Sequence, residues 1–188
     1  MRDLHIAALT LMLACFASGC KGDIELVGYG IRPGIQHGLK VELVSNGPSG
    51  ALILVQNMSG NIISINQSPL AIMVSVWRRK GEGLVAVEPC ECIMIHMNAA
   101  PQPDDFVIIA PRQTRIIPVP VSFKADRYRT LDQIFKIEKG NLYEIEVRLE
   151  PYFGAFTKET AGKTLAVFMI PNYLAEPLRM NTMTIRAR

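Results

Sequence analysis

The heptapeptide Tyr143-Glu144-Ile145-Glu146-Val147-Arg148-Leu149 alternates apolar and charged side chains without a break. A helix would scatter its four apolar groups around the circumference, whereas a strand gathers them on one face. Gly140-Asn141 turns into this run and Pro151 closes it. Shorter runs of the same kind recur along the chain with turn residues between them. Leu39, Val41 and Leu43 alternate with Lys40 and Glu42, and Ser45-Asn46-Gly47-Pro48-Ser49-Gly50 breaks the run. Residues 51–57 and 62–66 flank Ser59-Gly60-Asn61, and residues 70–77 and 84–87 flank a charged hairpin tip, Arg78-Arg79-Lys80-Gly81-Glu82-Gly83. Residues 106–110, 114–121, 165–170 and 180–186 supply further strands, with Pro118 and Pro120 marking 114–121 as an edge strand or a partly unpaired one. No segment carries the 3.6-residue stripe of a long amphipathic helix, although Leu131 to Ile137 is compatible with a turn or two. The expected fold is an all-β antiparallel sandwich.

The chain has 188 residues, enough for one domain, and 49% of them are hydrophobic, enough for a core. Twenty basic residues against 17 acidic ones leave a formal charge of +3, too small and too mixed to predict nucleic acid as a partner.

The first twenty residues carry an address. Residues 6–16, IAALTLMLACF, have the length of a signal-peptide apolar region and are too short to span a bilayer. They are followed by Ala17-Ser18-Gly19-Cys20, which resembles the lipobox of bacterial lipoproteins, with Ala17 where that family usually has Leu. The resemblance implies removal of residues 1–19 and acylation of Cys20. Several acyl chains on one cysteine would anchor the protein durably. Lys21 after the cysteine, rather than Asp, resembles outer-membrane cargo facing the periplasm. Residues 20–38 hold five glycines and read as a flexible tether, with Ile24, Leu26, Val27 and Ile31 able to add an edge strand. The domain is then expected over 39–188.

Three further segments resemble the immunoglobulin-like sandwiches of envelope lipoproteins. They are Leu54-Val55-Gln56-Asn57, the run from Asp105 to Pro111, and Gly140-Asn141-Leu142-Tyr143. Arg112 stands where a glycine commonly follows the proline, and Trp77 has no flanking cysteine pair. The resemblance implies a fold and leaves function open.

Candidate chemistry concentrates in Pro89-Cys90-Glu91-Cys92-Ile93-Met94-Ile95-His96-Met97. As a strand, this segment puts Cys90, Cys92, Met94 and His96 on one face, a thiol, thioether and imidazole set suited to Cu(I). The two thiols could instead form a disulfide, which the oxidising envelope favours, although a bridge across one residue needs local bending. They could also remain free. His37 reads as a solvated loop residue, Asp104-Asp105 as a turn into a strand, and the Asn57-Met58-Ser59 sequon as accidental. No nucleophile elbow, zincin, P-loop or dinucleotide fingerprint is present, so neither an enzyme nor a cofactor is expected. The expected function is a lipid-anchored binding lipoprotein that engages another envelope protein by its loops or a sheet edge; one form is an immunity protein that blocks an incoming toxin. The alternative is a soft-metal carrier or sensor on Cys90, Cys92, Met94 and His96.

Overall fold

The computed structural model describes residues 24–47, 50–93, 103–124, 126–151 and 172–188. The segment with perfect alternation forms the central strand. Leu142–Leu149 (β13) buries Tyr143, Ile145, Val147 and Leu149, each 2% exposed or less, and turns its charged residues outward. Its neighbours are Ile72–Lys80 (β5) and Met183–Ala187 (β15), and the sheet continues to Ile24–Tyr29 (β1) beyond β15 and Gly83–Ala86 (β6) beyond β5. Leu178–Arg179 (β14) also pairs with β13. Every pairing in this sheet is antiparallel.

A second sheet joins Leu39–Ser45 (β2), Ala51–Asn57 (β3) and Thr114–Val119 (β9) in that order. Its inward residues, from Leu39 and Ile53 to Ile117 and Val119, share one hydrophobic cluster with the inward faces of β5, β13 and β15. Two smaller antiparallel pieces close the flanks. Ile63–Asn66 (β4) pairs with Phe106–Ile109 (β8), and Ser122–Lys124 (β10), Arg127–Arg129 (β11), Gln133–Lys136 (β12) and Glu91–Cys92 (β7) form a four-stranded sheet. The architecture is all-β, with antiparallel sheets packed on a common core as in a sandwich.

Pro118 lies opposite Leu52 on β9, which pairs on one side only, as an edge strand that contains proline should. Two expectations change and one alternative is realised. Of the two readings of residues 24–29, tether or added edge strand, the structure has the edge strand: Ile24–Tyr29 pairs with β15, where its apolar residues gain a ladder and a core contact at Ile24. Leu131 to Ile137 contains strand β12 and no helical turn: Phe135 pairs with Tyr128 of β11, and this pairing places both side chains in the core. The basic triplet expected at a hairpin tip belongs to β5, with Gly81 and Glu82 alone forming the turn; Gly81 has φ +61°, as a type II′ turn requires. Residues 165–170, expected as a strand, lie outside the described residues.

Candidate interaction edge and thiol pair

Cys90 and Cys92 are both exposed free thiols in the structure, and the bridge considered from the sequence is not formed. The reason is local. β7 is held extended against β12: Cys90 N donates to Ile134 O at 2.8 Å and Ile93 N to Asp132 O at 2.6 Å. Residues two apart in a strand have Cα atoms about 6.6 Å apart, near the upper limit for a disulfide. The Cys90 thiol also donates to Ile134 O at 3.2 Å. Met94, His96 and Cys20 lie outside the described residues. Among the described residues, no group of three or more His, Cys, Asp or Glu side chains is arranged to hold a metal.

His37 takes part in backbone architecture. With φ +50°, followed by Gly38 at +80°, it makes the two-residue turn that pairs Gln36 with Leu39. Its Nε2 lies 2.9 Å from the exposed Glu176 carboxylate. Asp104 and Asp105 lie in a single 3-10 turn before β8, and their carbonyls accept from Gln67. Asn57 is fully buried. Its amide donates to Asn61 O and Ile109 O, and its carbonyl accepts from the Ser59 N–H and hydroxyl, so it joins β3, β8 and the loop before β4.

The distinctive surface feature is β6. Lys80 and Gly83 close the hairpin, and Val87 N donates to Val76 O at 2.9 Å. Antiparallel ladders alternate, so Gly83, Val85 and Val87 bond to β5, whereas Leu84 and Ala86 turn their N–H and C=O groups away from the sheet. All four β6 residues are exposed, Leu84 and Val85 at 47% each. Three other edges, β9, β1 and β2, are guarded. β9 carries Pro118, β1 has a register shift between Leu26 and Gly28, and the outward groups of β2 are met by side chains from elsewhere. Over Gly83–Ala86 there is no proline, charge or register shift. A cavity of about 220 Å³ opens beneath this edge, lined by Arg78, Val85, Val87, Lys136, Glu138 and Tyr143.

Sequence reasoning located the hairpin but not its position at an open edge, since strand order is a long-range property. No family model, curated protein or solved structure matches the chain.

Proposed function

We propose that this protein is a bacterial lipoprotein, acylated at Cys20, whose immunoglobulin-like sandwich binds another envelope polypeptide by adding one of its strands to β6. The observation that carries this reading is the open apolar edge at Leu84 and Ala86 above a cavity. In strand addition, main-chain hydrogen bonds supply affinity and pockets for alternate side chains supply specificity. The lining here is mixed, apolar along Val85, Ala86 and Val87 and charged at Glu88, Lys136 and the Arg78–Glu138 ion pair at 3.0 Å, a setting for a side chain that is part apolar and part polar.

A photo-crosslinking residue in place of Leu84, used in intact cells, tests the reading. Ala86→Pro removes an N–H that points away from β5, so it should leave the hairpin folded and abolish the crosslink. A crosslink indifferent to Ala86→Pro, or one formed only between two copies of this chain, would reject it. The mass of the crosslinked partner would also identify a toxin, if the protein acts in immunity. Acylation is tested separately by mass spectrometry of the mature amino terminus, where an unmodified Cys20 would reject the anchor.

The free, exposed thiols support a second reading, a soft-metal site on Cys90 and Cys92. Anaerobic Cu(I) competition should then show stoichiometric binding that is lost in Cys90→Ser and in Cys92→Ser. Binding that survives either substitution would reject this reading.

A further inference from the structure

The sheet brings sequence-distant lysines to one end of the molecule, the end at which β1 begins. Ile24 pairs with Ala187, Arg186 with Leu142, and Tyr143 with Arg78, so the start of β1, the end of β15, the start of β13 and the end of β5 are level. The turn between β12 and β13 joins them, as Gly140 N donates to Ala187 O at 2.9 Å. The turn between β10 and β11 lies alongside, as Ile137 N donates to Asp126 O at 2.7 Å.

The charge at this end is uneven in kind. Its five arginines are all ion-paired: Arg78 with Glu138, Arg79 with Glu144, Arg127 with Glu91, and both Arg186 and Arg188 with Glu25. Its four lysines, Lys80, Lys124, Lys136 and Lys139, are exposed, and among the described residues none of them forms an ion pair. Glu82, Glu88 and Asp126 are the remaining acidic residues here, so nine cations face seven anions. The only other described lysine, Lys40, lies on β2 and is paired with Glu42 at 3.1 Å. Lysine is a compact, hydrated point charge, suited to a diffuse anionic surface more than to bidentate recognition of one group.

Cys20 precedes Ile24 by four residues, which span at most about 14 Å when fully extended. A lipid on Cys20 would therefore hold this end of the sheet, rather than the opposite one, close to the bilayer. We propose that the lysine end faces the membrane and docks on the phosphate headgroups of anionic phospholipid. The proposal rests on the acylated Cys20 of the reading above and adds the orientation of the domain. Basic side chains gain attraction within a Debye length of an anionic leaflet, about 8 Å at physiological salt.

The test is lysine footprinting of the native lipoprotein with an uncharged amine-directed reagent, read by mass spectrometry. The protein is reconstituted in phosphatidylcholine vesicles with and without phosphatidylglycerol. With phosphatidylglycerol, Lys80, Lys124, Lys136 and Lys139 should label about threefold more slowly or less, with Lys40 unchanged. The protection should disappear in 1 M salt, where the Debye length is about 3 Å. Equal labelling on both vesicles, or protection that extends equally to Lys40, would overturn the proposal. So would equal protection by a free oligonucleotide without vesicles, which would mean general polyanion binding. The anchor is judged apart, by flotation on pure phosphatidylcholine vesicles. Protein that fails to float there lacks the anchor, while the footprint on anionic vesicles still decides the face.

Discussion

Tyr128 carries its hydroxyl into the core, 1% exposed and without a hydrogen-bond partner in the structure. Burial alone pushes this phenol well above the ordinary tyrosine range. An unsatisfied buried hydroxyl costs about 1–3 kcal/mol, so Tyr128→Phe should stabilise the domain, raising its melting temperature by about 2–4 °C per kcal/mol. The pH dependence has a definite sign. Above about pH 10 the unfolded chain releases the phenol proton that the folded chain retains, so stability falls as pH rises further. That part of the alkaline loss should be missing in Tyr128→Phe; urea titrations at pH 8 and 10.5 on both proteins check it, and equal losses would count against a buried phenol. Asn57 is the opposite case, a buried polar residue with every partner supplied. Composition gave no sign of either environment. Tyr128 lies between two arginines and Asn57 at a strand end, neither of which signals burial, and only the sheet register shows that Tyr128 stands between Phe123 and Phe135.

Within elements, local pattern was most informative where a strand is long and one face is wet. β13 illustrates this, and its two faces make unequal predictions. Ile145 is fully buried, so Ile145→Ala should cost about 2–5 kcal/mol in denaturant melts. Glu146, half-buried on the outer face opposite Ser75, should cost under about 1 kcal/mol when replaced by Ala. Similar losses for the two would contradict the assigned faces. β3 and β8 were legible for the same reason, since turn residues bracket clear apolar runs. β10, β11 and β12 were not: they are three to four residues long, and their charged ends leave too few alternations to establish a period. β1 was ambiguous because Gly28 and Gly30 read as tether, although Gly28 follows a bulge and Gly30 hydrogen-bonds to Thr182. For β6 the composition was visible and the exposure was not, because the edge is defined by which strand fails to follow.

At the scale of the molecule, the question is how the six-stranded sheet is held to the sheet of β2, β3 and β9. Hydrophobic packing supplies the bulk of it, but packing alone is non-directional and leaves the backbone of edge strands unmet. Two amide side chains do what a missing strand would do. Asn181, 2% exposed between β14 and β15, accepts from Leu43 N at 2.8 Å and donates to Leu43 O at 3.1 Å. In the reverse sense, Gln36, from the segment before β2, donates to Arg179 O at 2.6 Å and accepts from Arg179 N at 3.0 Å. The Tyr29 hydroxyl adds a third stitch by accepting from Ser45 N at 2.8 Å. The two amides make the same pair of bonds but differ in burial, and burial should decide their worth. Without Gln36 the exposed Arg179 backbone turns to water, so Gln36→Ala should cost under about 1 kcal/mol. Without Asn181 the buried Leu43 N–H and C=O are both stranded, so Asn181→Ala should cost about 2–4 kcal/mol. Asn181→Asp keeps the acceptor for Leu43 N but sets an oxygen against Leu43 O, and should rescue little of that loss. Urea melts give the three stabilities, and amide exchange at Leu43 locates the effect: each 1.4 kcal/mol lost locally speeds it about tenfold. An Asn181→Ala protein as stable as Gln36→Ala, with Leu43 exchange unchanged, would mean that the two sheets are held by apolar packing alone.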